Sequence, residues 1–324
     1  MRSLGWAGLA AALALAVPPS AEPQSSRVYQ VGVVLQGGPY HLAVDGLRQG
    51  FKEAGLVEGK HVVLHVRDAK GDVKALESAA TALEADKVDV IYAVSTTATL
   101  ATRRATQRVP IVFYAGADPV AIGLVESFRK PGGRLTGVHG QLTELTAKRF
   151  EILMAMVPRA RRVATFHTVG NPVSRASMEV ARDTARQLKV QLVERPVTSV
   201  DDLRKSLQAL RSSDADAILY VGDALVTSQI DAVVDAARAQ RLPVMLQEHV
   251  AVFNGALASY GISYHAAGRL SAKQVERILK GAAAGDLPVE QLARPHFAIN
   301  LKTAKALGLT IPREVLVRAD EVVE

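Results

Sequence analysis

Three hydroxyl side chains in a row, Ser95-Thr96-Thr97, follow the apolar stretch Val88 to Val94 and open a helical segment starting near Ala98. The first turn of a helix carries N–H groups with no intrahelical partner, so these groups and the hydroxyls together suit a carboxylate. The same run also supplies an ordinary N-cap, although a cap needs only one such residue. Gly222-Asp223 follows the apolar run Ala217 to Val221. The glycine permits close approach, and an ionised Asp223 would pair with an ammonium group; alternatively Asp223 caps the helix that starts near Thr227. Gln36-Gly37-Gly38-Pro39-Tyr40-His41 lacks the G-x-G-x-x-G spacing that brings a helix end to a pyrophosphate, and Pro39 stiffens it. It reads as a ligand-facing loop turning at Gly38 with Tyr40 as a wall, or as a plain surface turn. In the stretch His167 to Ser174, Asn171 and Ser174 can both donate and accept, and Ser174 also suits a helix cap. Asp118, next to Pro119, caps a helix or lines a cleft, and Tyr260 precedes Gly261 in a late strand.

Catalytic chemistry has little support. His61 and His65 share a strand face but lack further ligands at metal spacing. There is no G-x-S-x-G elbow, H-E-x-x-H or P-loop. The expectation is a binding protein rather than an enzyme, with no cofactor and no metal.

The elements that must position these residues alternate. Apolar strands at Val31 to Leu35, His61 to Arg67, Val88 to Val94 and Val109 to Tyr114 are separated by helical patterns at Leu42 to Ala54, Val73 to Ala85 and Ala98 to Thr106. After the turn Pro131-Gly132-Gly133 and a short strand, Leu135 to Val138, a long helix spans Glu144 to Met156. A second series follows, with strands at Arg162 to His167, Val190 to Pro196, Ala217 to Val221 and Pro243 to Gln247 and helices at Ser174 to Leu188, Val200 to Leu210 and Thr227 to Gln240. Such repetition implies parallel sheets covered by helices on both faces with right-handed crossovers. The fold class is α/β, with two similar doubly wound lobes. Beyond Gly255 come a strand-like Ala256 to Ser263, a helix at Ala266 to Leu279, an irregular connector from Ala283 to Leu292, a strand at His296 to Asn300 and a helix at Leu301 to Leu307. These spare elements allow the chain to pass between lobes more than once, which makes a hinge rather than a tether. Ligands of open parallel sheets sit beyond the carboxyl ends of the strands, where the turns above lie.

Arg2, the uncharged apolar run Leu4 to Val17 and the small residues after Pro18-Pro19 read as a secretory signal peptide over residues 1–25. A transmembrane anchor needs about 20 apolar residues, and this run stops short. The mature chain is therefore expected to be exported. Having no cysteine, it must be stabilised by its core alone. The net charge of +7 is scattered along the sequence. It reads as solvated surface with a preference for anionic or zwitterionic ligands rather than nucleic acid. The single tryptophan, Trp6, lies in the signal, so the stacking platform usual for sugars is missing and a small charged organic molecule is favoured. Tyr40, Phe113 and Tyr114 could still stack on a planar ligand.

The whole mature chain resembles the exported substrate-binding proteins of ABC importers in the tryptophan/tyrosine-binding-like group. The resemblance is carried by Val31-Gly32-Val33, Gly46-Leu47-Arg48-Gln49-Gly50-Phe51, Gly55-Leu56-Val57-Glu58-Gly59-Lys60, Pro110-Ile111-Val112-Phe113, Asp118-Pro119-Val120, Lys130-Pro131-Gly132-Gly133, Leu135-Thr136-Gly137-Val138 and, near the C-terminus, Ile299-Asn300-Leu301-Lys302-Thr303-Ala304-Lys305-Ala306-Leu307-Gly308-Leu309-Thr310-Ile311-Pro312. It implies the type 1 periplasmic binding fold, with lobe one at 26–137 plus 257–295 and lobe two at 138–256 plus 296–324. It also implies a periplasmic location, a monomer, and as partners an ABC permease and its ATPase. The expected ligand is an amino acid or related small organic ion, held by Gly38, Tyr40, Ser95, Thr96, Thr97 and Asp118 with Asn171, Ser174, Asp223 and Tyr260. The family's ammonium-binding aspartate falls at Asp223, where its usual neighbouring Asn-Thr reads Ala224-Leu225. A ligand-sensing module for a membrane receptor or kinase is the alternative that the same fold would serve.

Overall fold

Continuous apolar runs rather than alternating ones mark strands covered on both faces, and β1 (Tyr29–Leu35) is of this kind, with Val31, Val33, Val34 and Leu35 fully buried. The computed structural model describes residues 27–292 and 294–324; the expected signal peptide lies outside the described residues. A 3-10 turn at Gly38–Tyr40 leads into α1 (His41–Glu53). There follow β2 (Val62–Asp68), α2 (Val73–Ala85), β3 (Val90–Val94), α3 (Thr96–Ala105), β4 (Ile111–Ala115) and β5 (Leu135–His139). The second series is α4 (Leu145–Met156), β6 (Arg162–Thr168), α5 (Pro172–Leu188), β7 (Gln191–Val197), α6 (Val200–Ala209), β8 (Ala217–Leu219), α7 (Ala224–Ser228), α8 (Ile230–Ala239), β9 (Val244–Leu246), α9 (Val250–Phe253) and β10 (Ala258–Gly261). The chain ends with α10 (Tyr264–Leu279), β11 (Glu290–Gln291), β12 (His296–Asn300), α11 (Leu301–Ala306), α12 (Arg313–Leu316) and β13 (Glu321–Val323).

Two sheets result, as the α/β reading required. The first has the order β11-β5-β4-β3-β1-β2 with every pair parallel. The second has the order β13-β12-β10-β9-β8-β6-β7 and is parallel except at β10–β12. The expected single helix over Thr227 to Gln240 is instead two, broken at Gln229, whose φ of −119° and ψ of 27° leave the helical range.

The chain passes between the sheets three times, after β5, after β10 and after β11. Two expected boundaries move. The first sheet keeps the chain through His139 of β5, past the expected end of lobe one at 137. Residue 257 was placed at the return to the first lobe, but β10 hydrogen-bonds to β9 and β12, so the second sheet keeps the chain as far as Gly261. The apolar strand pattern there could not reveal which sheet would receive it.

The helix that then returns, α10, lies against α1 at backbone contact distance. A Cβ on Gly46 would stand 1.9 Å from the His265 carbonyl oxygen, and one on Gly268 would stand 1.8 Å from that of Ala43. Only glycine on each side permits this approach, which explains why Gly46 and Gly50 punctuate an otherwise ordinary amphipathic helix.

Candidate functional site

Strand ends and helix starts of both lobes converge on one small cavity of about 10 Å³. From the first lobe come Tyr40 of the 3-10 turn, Ser95, Thr96 and Thr97 at the start of α3, and Tyr114 and Gly116 at the end of β4. Val173 of α5 and Asp223 and Ala224 at the start of α7 face them from the second lobe, and Leu142 comes from the first passage between lobes. Of the ten residues expected at the site, Tyr40, Ser95, Thr96, Thr97 and Asp223 line this cavity.

Each hydroxyl of the Ser95-Thr96-Thr97 run has its own work. Ser95 holds a φ of 115°, outside the range that side chains favour. Its Oγ accepts from Ala98 N at 3.0 Å and donates to Gln36 Oε1 at 3.2 Å. Thr96 Oγ1 accepts from Gly116 N at 3.0 Å and so braces the turn after β4. Thr97 Oγ1 accepts from Asn171 Nδ2 at 3.0 Å, a bond that crosses between the lobes. One residue is the cap; the other two tie α3 to β4 and to the opposite lobe.

Asp223, buried to 1% exposure, caps α7 through Val226 N at 3.0 Å. Its carboxylate also accepts from Thr168 N at 2.6 Å, from Thr168 Oγ1 at 3.0 Å and from Ser174 Oγ. Ser174 therefore faces Asp223 rather than the cavity. Asn171 caps α5, accepting from Val173 N at 2.9 Å, while its amide nitrogen reaches Thr97.

Three expected residues stand elsewhere. Gly38 is not in the cavity wall; its Cα abuts the second lobe, where an added Cβ would lie 2.8 Å from the Ser228 carbonyl oxygen. Asp118 accepts from Val120 N at 2.8 Å and Ala121 N at 3.1 Å and so braces a turn; the expected helix after it is not formed. Tyr260 lies in β10 with its ring 6.0 Å from that of Phe297, within the second lobe's core.

Behind the cavity lies a buried polar layer that sequence reasoning missed. Tyr264 packs against Tyr40 at 4.8 Å between ring centroids and edge-on to Tyr114 at 5.5 Å. Burial raises the pKa of all three phenols, so they are neutral walls. Arg149, fully buried, donates to Leu142 O at 2.8 Å and Tyr260 O at 3.4 Å, joining the first passage to the second. Burial pulls its guanidinium down to about 10, which still leaves it cationic at neutral pH. These residues sit mid-helix or at helix starts in regular patterns that look like core, which is why no local signal marks them.

Glu248 completes this layer. One carboxyl oxygen accepts from Tyr264 N at 3.3 Å and the other has no partner, while burial pushes the group from 4.5 up to about 8. A folded-state pKa above the unfolded one means that the folded protein holds the proton more tightly. Stability should therefore be full below pH 4.5, fall as pH rises towards 8, and level off above it. The slope is on the order of 1 kcal/mol per pH unit. Glu248→Gln should flatten this segment of the melting-temperature profile; an unaltered profile would show that Glu248 does not titrate in this range.

The model of the family described as ABC transporter substrate binding protein matches residues 29–323. This chain belongs to that family. The substrate-binding protein is 29% identical over 273 residues to a tyrosine-binding protein of Clostridioides difficile (strain R20291), a match covering 83% of this chain and 78% of the relative. Its fold superimposes on the ABC domain in complex with L-Trp from Streptococcus pneumonia with a TM-score of 0.81 at 25% identity, covering 92% of this chain and 100% of the other. The ligand-free, open structure of a substrate-binding protein with adhesive properties from Clostridium difficile gives 0.62 at the same 25% identity, covering 92% and 99%. At equal identity the higher score goes to the complex, in keeping with the lobe-to-lobe contacts at Gly38 and Thr97. The two parallel-sheet lobes are those of the type 1 periplasmic binding proteins.

Proposed function

We propose that this protein is exported, captures a free amino acid or a closely related small organic ion between its lobes, and hands it as a monomer to an ABC permease. The observation that carries the reading is the shared cavity. It has neutral tyrosine walls at Tyr40 and Tyr114, the N-terminus of α3 on one side and a buried carboxylate, Asp223, on the other. A zwitterion fits this pairing, with its carboxylate at Ser95 to Thr97 and its ammonium at Asp223. The Asp223 acceptor sites are already filled, but the Thr168 and Ser174 hydroxyls can rotate away, so the ammonium would replace a hydroxyl rather than a backbone donor. Contacts come from both lobes, so the ligand favours the arrangement in which the lobes meet. The tryptophan- and tyrosine-binding relatives support an aromatic amino acid as the first candidate.

A thermal-shift panel of amino acids, small carboxylates and sugars tests the reading. At a hundredfold excess over Kd a ligand adds about 2.7 kcal/mol of stability. L-tyrosine or L-tryptophan should give a clear upward shift. A panel in which every amino acid fails and a sugar stabilises would overturn the assignment.

A further inference from the structure

Beyond the Asn171–Thr97 hydrogen bond the cleft widens into an outer chamber of about 590 Å³. The first lobe lines it with Gln36, Lys70 and Lys74, and the second with Thr198, Ser199 and Arg204. The caps of α2 and α6, Asp72 and Ser199, both face it, so two helix N-termini open on the same space from opposite lobes. The acidic groups present are already engaged. Asp72 accepts from Lys74 N and Ala75 N, and Asp201 pairs with Arg204 at 3.3 Å. Lys70 and Lys74 have no carboxylate partner among the described residues, since nearby Asp68 is taken by His41. Gln36 is 1% exposed and its Oε1 accepts from Ser95, while its Nε2 donates to no acceptor among the described residues. Gln36 lines the chamber, so this amide N–H can donate into it.

We propose that the outer chamber is a second binding compartment, which takes an anionic group, carboxylate or phosphate, between Gln36 Nε2, the Lys70 and Lys74 ammonium groups and the N-termini of α2 and α6. The proposal rests on the cleft being the capture site. Thr97 lines both compartments, so the anion is either a free ion or the far end of a solute whose head fills the inner cavity. Either would bridge the lobes and favour their contact.

The test titrates the mature protein with inorganic phosphate, L-tyrosine and the dipeptide L-tyrosylglycine, at ionic strength held constant with chloride. Each is repeated on a Lys70→Ala/Lys74→Ala variant, whose folding is checked by circular dichroism. Phosphate should bind and weaken about tenfold in the variant, equivalent to 1.4 kcal/mol, while L-tyrosine binding stays unchanged. A free-ion site predicts that phosphate tightens L-tyrosine. A tail site predicts that the dipeptide binds more tightly than L-tyrosine, competes with phosphate and loses its advantage in the variant. If neither phosphate nor dipeptide binding responds to the lysines, the compartment does not exist, and L-tyrosine binding then still stands for the inner cavity. If L-tyrosine fails on the unaltered protein, the thermal-shift panel decides the inner reading, and the phosphate titration judges the chamber by itself.

Discussion

Replacing Gly38 with alanine is expected to weaken L-tyrosine binding about a hundredfold, or 2.7 kcal/mol. Its φ of 57° is a left-handed conformation that costs an alanine roughly 1 kcal/mol, present whether the lobes touch or not. The larger effect comes from closure. The new Cβ would sit 2.8 Å from the Ser228 carbonyl oxygen and 3.1 Å from its carbonyl carbon, which are backbone atoms that cannot swing aside. The lobes would have to stay apart by a few tenths of an ångström along the whole cleft, lengthening the Asn171–Thr97 bond as well. Calorimetric titration set beside urea denaturation separates the two effects. A variant with intact affinity would show that ligand capture does not need this contact.

Asp223→Ala should lower stability by about 4 kcal/mol and abolish L-tyrosine binding. Two backbone donors, the part-buried Thr168 N and the buried Val226 N, lose their acceptor at roughly 1–3 kcal/mol each, and a helix cap is lost as well. Asp223→Asn keeps one acceptor oxygen, so it should recover part of the stability without recovering binding, because the charge that faces the ammonium is gone. The urea midpoint should fall with an unchanged slope, the mark of altered stability in a two-state transition. An alanine variant as stable as the natural chain would mean that other groups satisfy these donors.

Much of the fold is legible in the sequence because buried parallel strands are written as unbroken apolar runs. Val31 to Leu35 and Val109 to Tyr114 announce themselves in this way, and the turns after them hold the residues of the cavity. What was not legible was partnership across the chain. Asp223 could be read as an acceptor, but not as one already serving Thr168, Ser174 and Val226, since those contacts span from three to 55 residues of sequence. Asp118 and Tyr260 carry suitable chemistry, yet the first is spent on its own turn and the second is packed by tertiary structure against Phe297. Arg149 is the clearest loss. It lies in a helix where an arginine ordinarily points to water, and only the joining of Leu142 and Tyr260 around it makes it the largest fully buried side chain among the described residues.

The backbone contact between α1 and α10 bears on how such a molecule can be divided. The helix covering one face of the amino-terminal sheet is encoded more than 200 residues downstream of the helix it touches, after the other half has been built. No single cut in the gene yields two self-sufficient halves. A fragment ending before residue 264 would leave the seat of α10 bare, with the glycine stripe of α1 exposed to solvent. Recombination that exchanged one half for that of a relative would need several joints rather than one, so new specificities in this architecture arise more readily by substitution within the cleft than by shuffling of pieces.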